Sequence, residues 1–257
     1  APMFGAVIHD FLGWQAIFVF LLIYGLALLV SMWRFLPSNT PQRTPGEAFW
    51  SGVFSRYRSV LKTREAMGFL LLQGFCFSCM FVFLTESTWV YKNYYGLSNK
   101  QYALAFMFNI VAMASFNRLT AYRLKKGAQP HKILLSGLAV QFTTGLILAI
   151  WCLIALPPFP VMVFLVMTTI GAQGLIVPSN QAIYMSYFSR EAGSANAVLG
   201  AGMQMIAFGI GWLTTEMHHI TDGKITVMPL MMFASTLSAI AAIGLLSRNA
   251  FKAQRSQ

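Results

Sequence analysis

Polar residues in this chain are gathered into short breaks between long apolar runs. A helix that crosses a bilayer needs about 20 consecutive apolar residues, rising roughly 1.5 Å each, to cover about 30 Å of hydrocarbon. Six runs have that length, at 15–35, 67–90, 101–122, 132–156, 159–185 and 226–247. A seventh, 192–215, is richer in glycine and alanine and still lacks charge, and residues 1–12 would make half a span. Barrel strands would be about ten residues long with alternating polarity. These runs are apolar on every face and twice that length, so the pattern predicts an all-α polytopic membrane protein of about seven and a half spans.

The breaks carry turn chemistry: Leu36-Pro37-Ser38-Asn39, Lys126-Gly127-Ala128-Gln129-Pro130, Leu156-Pro157-Pro158 and Thr221-Asp222-Gly223-Lys224. The longest, 37–66, holds SNTPQRTPGE and then Arg56, Arg58, Lys62 and Arg64, and reads as an interfacial linker with one amphipathic helix. Composition agrees, with 57% apolar, 14% aromatic and 10% charged residues. A soluble chain of this size would carry about a quarter charged.

The net charge of +11 comes from basic residues in the breaks, not from one face, which argues against nucleic-acid binding. Of 18 Lys and Arg, 15 fall in 34–66, 118–132, 186–191 and the tail from 248; Lys92, Lys100 and Lys224 sit on the other side. The positive-inside rule makes the first set, with the C-terminus, cytoplasmic. Trp89, Tyr91, Tyr94 and Tyr95 read as an interfacial belt on the opposite side.

Enzyme signatures do not appear: there is no G-x-S-x-G, H-E-x-x-H, phosphate-binding glycine loop or EF-hand pattern. Cys76 and Cys79 form a C-x-x-C inside an apolar run and, with Cys152, read as buried inert thiols. His218 and His219 read as loop residues, and neither motif predicts a metal. Among the carboxylates, Asp10 and Glu216 lie at helix ends, whereas Glu86 falls inside a span. A carboxylate at that depth is a candidate proton-linked group.

Uncharged amides also interrupt the spans: Gln73, Asn109, Asn117, Gln141, Gln173, Asn180, Gln181 and Gln204. An amide facing lipid is costly, so each should point between helices or into a cavity. Gln73, Asn109, Asn180, Gln181 and Gln204 are the candidate cavity-lining residues. Pro178 removes one backbone hydrogen bond and predicts a bend in 159–185. Gly193, Ala197 and Ala201 recur every four residues and predict a stripe for close helix contact.

Several motifs resemble the major facilitator superfamily, and within it the Bcr/CflA group of drug:proton antiporters. Ala1-Pro2-Met3-Phe4-Gly5 resembles the end of the G-P-x-x-G-G antiporter motif of the fifth helix, with Ala1 and Ala6 in place of the flanking glycines. Gly13-Trp14-Gln15-Ala16-Ile17-Phe18 is similar to the G-W-R-x-I-F entry to the sixth helix, and Tyr95-Gly96-Leu97-Ser98 to a Y-G-L-S before the eighth. Pro178-Ser179-Asn180-Gln181-Ala182 and the run from Ala192 to Gln204 resemble P-N-A followed by A-G-x-A-S-A-L-x-G-x-x-Q.

The resemblance implies a major facilitator fold in a bacterial inner membrane. Residues 1–36 would end the N-terminal half, 37–66 would be a cytoplasmic linker, 67–247 the C-terminal six-helix half and 248–257 a cytoplasmic tail. Four and a half helices would then be missing before Ala1, including the family's acidic first helix. Pro2 and Gly5 would act in helix packing or bending. The implied activity is efflux of small amphipathic drugs in exchange for protons, with the proton gradient as energy source and no cofactor. Two other readings stay open: a nutrient or metabolite carrier of the same superfamily, and a membrane fragment that does not transport.

Overall fold

The computed structural model describes residues 8, 11–35, 49–189 and 191–247. The expectations for Pro2, Gly5, Asp10, the linker from 37 to 48 and the tail from 248 lie outside these residues. Among the described residues there is no strand, and seven helices are long and apolar enough to cross a membrane. The chain divides into two compact units, residues 1–49 and 50–257.

The first unit holds helix α1, Trp14–Phe35. Gly13 precedes it at φ +79°, a left-handed conformation that a residue with a Cβ rarely adopts. The helix is apolar round its circumference and carries Arg34 in its last turn.

The second unit opens with α2, Phe49–Lys62, nearly all of which belongs to it, and continues into α3, Arg64–Trp89. A π-helical turn, Val90–Tyr94, carries the third helix past its expected end. Then follow α4 (Asn99–Lys125), α5 (Pro130–Ile154), α6 (Phe159–Gly171), α7 (Gln173–Ser186), α8 (Ala192–Ile220) and α9 (Val227–Leu246). Their boundaries follow local chemistry. Ser98 and Gln101 form a reciprocal capping box at the start of α4, Pro130 occupies the first turn of α5, and Gly127 at φ +82° closes the turn between them.

Helix α3 is the axis of this unit and packs against α7, α8 and α9, while α4 and α5 flank α6 and α7 and α5 also meets α9. Two apolar clusters fill it. Phe69, Leu72, Leu134, Ile176, Tyr184 and Leu199 lie toward the end where α3 begins, and Phe83, Tyr91, Leu148, Met162 and Met232 toward the far end. Close packing depends on small residues: Gly74 faces Ile206 of α8, and Gly202 of α8 faces Leu70 of α3.

Three expectations are corrected here. The 159–185 run is one span made of two helices, and its break falls at Ala172, ahead of Pro178, which sits inside α7. The proline's missing N–H leaves the Gly174 carbonyl without a helical donor, and the hydroxyl of Thr120 on α4 supplies one at 2.8 Å. Helix α8 continues five residues beyond 215 to Ile220, so His218 and His219 lie in its last turn and not in a loop. Tyr91 is not part of a surface belt: it is 1% exposed and packs among Phe83, Tyr95, Tyr102 and Phe159. Tyr91 lies in the π-turn itself, and with Val90 it is buried.

Candidate functional site

The intramembrane amides separate into an inner and an outer set. Inside the bundle, the Asn180 amide of α7 donates to Gln73 Oε1 at 2.7 Å and to the Phe69 carbonyl at 3.0 Å, both on α3. The Gln73 amide nitrogen meets Met203 Sδ of α8 at 3.5 Å. One turn along, Gln141 of α5 donates to the Cys76 carbonyl at 3.2 Å and to Cys79 Sγ at 2.9 Å. Gln173 of α7 donates to that same carbonyl. Cys79 in turn donates to the Met232 carbonyl of α9 at 3.3 Å. All of these side chains except Met203 are buried, and they tie α3 to each helix around it.

Asn109 is also buried, with its amide turned to Ala105 of its own helix at 3.4 Å. Gln73 and Asn180 therefore meet each other as an interhelical bond, and Asn109 stands apart from them. Cys76 and Cys79 lie within this tied core, and Cys152 is buried near the far end. Among the described residues, no three His, Cys, Asp or Glu side chains come together as a metal site would require.

Gln181 and Gln204 belong to the outer set. Both are exposed on the unit of residues 50–257, and Gln181 donates to the exposed Asn196 of α8 at 3.2 Å. Gly193, Ala197 and Ala201 share this side of α8 and are exposed too, with open space around Gly193. The stripe expected to pack helices therefore faces away from this bundle. Helix α8 packs through Ala195, Leu199, Ala207, Gly211 and Thr214 instead. The four-residue repeat located a smooth side of the helix without showing which way that side turns.

A carboxylate–imidazole pair lies at the far end. Glu86 is 4% exposed, and its Oε2 stands 2.6 Å from Nδ1 of His218, 132 positions later. The ring of Trp89 meets His218 edge-on at 5.1 Å. Trp89 Nε1 and the Tyr94 hydroxyl both donate to the Gly223 carbonyl, at 3.0 and 2.8 Å. The Ile225 amide donates to the Tyr94 oxygen at 3.0 Å, so the α8–α9 turn is tied to the end of α3 and its π-turn. Nearby, Tyr95 donates to the Pro157 carbonyl at 2.8 Å, and burial, then the neighbouring Cys152, pushes its phenol above the ordinary tyrosine range.

An apolar groove of about 390 Å³ runs between α4 and α6, lined by Leu104, Ala105, Phe108, Val163, Phe164 and Met167, with Gln101 at its edge. The sequence pattern gave His218 only as a loop residue and Asn196 only as part of a motif run, and Thr120 not at all. His218 had a signal, because alternation of the helices puts the end of 192–215 at the same level as the end of 67–90, where Glu86 lies. Asn196 lay inside the run from Ala192 to Gln204 that resembles the family motif, whereas Thr120, an ordinary polar residue near a helix end, had none.

Long apolar helices held together by buried amide ties define a multi-pass membrane protein. The chain belongs to the Major Facilitator Superfamily, whose family pattern matches residues 1–212. That superfamily is one of transporters and not of enzymes. The chain is similar to the "Bicyclomycin resistance protein homolog" of Haemophilus influenzae, at 26% identity over 250 residues, 97% of this chain and 62% of that protein. It is similar to the "Uncharacterized MFS-type transporter YdgK" of Bacillus subtilis, at 27% over 254 residues, covering 95% of this chain and 60% of the relative. A third relative, the "Chloramphenicol resistance protein" of Pseudomonas aeruginosa, is 25% identical over 263 residues, 100% of this chain and 58% of its own length. The chain thus spans about three fifths of the length of the curated relatives it matches.

Proposed function

We propose that this chain is the later part of a drug-efflux carrier that exchanges small amphipathic compounds for protons by alternating access. The observation that carries the reading is the outward polar side of Gln181, Asn196 and Gln204, beside the small residues Gly193, Ala197 and Ala201. Amides facing hydrocarbon are expensive, so this side suits a water-filled cavity opposite a second lobe. Two relatives bear the names of antibiotic-resistance proteins, which favours drugs over nutrients as cargo. The setting is a bacterial inner membrane with the C-terminus in the cytoplasm, as the distribution of Lys and Arg implies.

The energetics suffice. One charge crossing about 100 mV supplies about 2.3 kcal/mol, enough for roughly a fifty-fold gradient of a neutral compound. Glu86 and His218 are the proton-linked groups this chain offers; the wider cavity would be completed by helices upstream.

The test uses the full-length protein in a host lacking its own efflux pumps, and in proteoliposomes with a pH-sensitive dye. Gln181→Leu and Gln204→Leu should lower drug export several-fold and leave folding intact. Gln73→Leu and Asn180→Leu should lower the yield of folded protein. Saturable uptake of a polar metabolite without drug-driven proton movement would replace the proposal with a nutrient carrier. Folded protein that moves neither kind of solute would leave a non-transporting membrane component.

A further inference from the structure

Helix α2 carries an apolar stripe that the bundle covers at Val60 and leaves open at Phe54 and Leu61. At about 100° per residue, Phe54, Tyr57, Val60 and Leu61 share one side of the helix. Val60 is fully buried in the core cluster with Ala66 and Phe69, whereas Phe54 is 71% exposed, Leu61 57% and Tyr57 37%. Arg56 and Arg58 stand one residue to either side of Tyr57 and so flank the stripe on both edges, with Lys62 following. Ser55 and Ser59 occupy the opposite side.

The level of the helix points to its partner. Through Thr63, α2 runs directly into Arg64, the first residue of the membrane-crossing α3, so its end lies where hydrocarbon gives way to headgroups. The antiparallel order brings the end of α4 and the start of α5 to this same end of the bundle, with Arg118, Arg123, Lys125, Lys126 and Lys132. Against these stands the exposed carboxylate Glu65 in the first turn of α3. Apolar side chains reaching down between basic side chains that reach outward is the arrangement by which a helix lies in a bilayer surface. A surface dense in Lys and Arg selects anionic headgroups over zwitterionic ones.

We propose that α2 is a membrane-surface anchor: Phe54, Tyr57 and Leu61 enter the acyl boundary, while Arg56, Arg58 and Lys62 hold anionic phospholipid headgroups. The anchor sets the height and angle at which the chain enters α3. It is independent of which solute the carrier moves, and its test involves no transport.

The experiment uses the full-length protein in nanodiscs of phosphatidylcholine, with or without phosphatidylglycerol. A nitroxide is attached at Phe54→Cys or Leu61→Cys, and at Ser55→Cys for comparison, in a background with any cysteine outside this chain replaced; Cys76, Cys79 and Cys152 are buried. At positions 54 and 61, collisions with oxygen should exceed those with a water-soluble nickel chelate several-fold, with the reverse at position 55. Phosphatidylglycerol should move positions 54 and 61 deeper, and Arg56→Gln with Arg58→Gln should abolish that response. Free access of nickel to 54 and 61 would overturn the proposal by placing the stripe in water. Closure of both positions to both reagents would overturn it by showing a protein cover. Depth that ignores lipid charge would overturn the headgroup contact.

Discussion

The hydroxyl of Thr120 stands 2.8 Å from the carbonyl of Gly174, the acceptor that Pro178 deprives of its helical partner. The same hydroxyl also reaches Phe116 of its own helix at 3.0 Å. One side chain on α4 thus repairs the discontinuity in α7, which would otherwise leave an unsatisfied carbonyl in a buried position. Thr120→Val keeps the shape and removes the donor, and should cost about 1 kcal/mol. In a Pro178→Ala background, where alanine restores the N–H, the same change should cost less than half as much. Thermal unfolding of the four proteins in detergent measures that coupling.

Gly174 and Gly193 should respond oppositely to alanine. A Cβ at 174 would lie 2.4 Å from the Met113 carbonyl oxygen and 2.6 Å from the Asn117 nitrogen, backbone atoms of α4 that cannot swing aside. Overpacking of that kind costs about 1–3 kcal/mol. At Gly193 nothing lies within 4 Å, so alanine is expected to be neutral for the stability of this bundle. The fraction of monodisperse protein surviving a heat step would separate the two, and equal losses would refute the close approach of α4 and α7.

His218→Ala would remove the side chain that partners the buried Glu86. Leaving a buried polar group without its hydrogen-bond partner costs about 1–3 kcal/mol. Because the His218 side chain is 20% exposed, a loss near or below the lower figure is expected. Glu86→Gln retains an oxygen beside the imidazole and should be milder. If His218→Ala melts no lower than Glu86→Gln, the pair does not support the far end.

Thiol chemistry offers a check on the tied core. Cys76, Cys79 and Cys152 are all buried, so a bulky maleimide should leave the native protein essentially unlabelled. After denaturation it should add to all three cysteines of the chain. Rapid labelling of Cys76 or Cys79 in the folded state would show that α3 is not enclosed by α5, α7 and α9.

The helices were legible because span length is a one-dimensional property: an apolar run long enough to cross the bilayer is visible residue by residue. The faces were not legible. In a helix apolar all round there is little periodicity to tell an inward amide from an outward one. Gln73 and Gln204 therefore read alike, although one is buried against Asn180 and the other is exposed. The break at Ala172 was hidden for a related reason. Gly171 and Gly174 mark where the backbone approaches α4, while Pro178, the louder signal, is accommodated by a neighbour's hydroxyl. The pairing of Glu86 with His218 joins residues 132 positions apart and needs the topology before it can be seen.

The grip of Gln141 and Gln173 on α3 falls on the main-chain oxygen of residue 76 and not on its thiol. Any side chain of similar bulk at that position would leave the anchorage of α5 and α7 intact, so Cys76→Ala or Cys76→Ser should be tolerated. Residue 79 is different, because its sulfur is itself a link between Gln141 and α9. Of two cysteines three residues apart, one is chemically replaceable and the other is part of the frame.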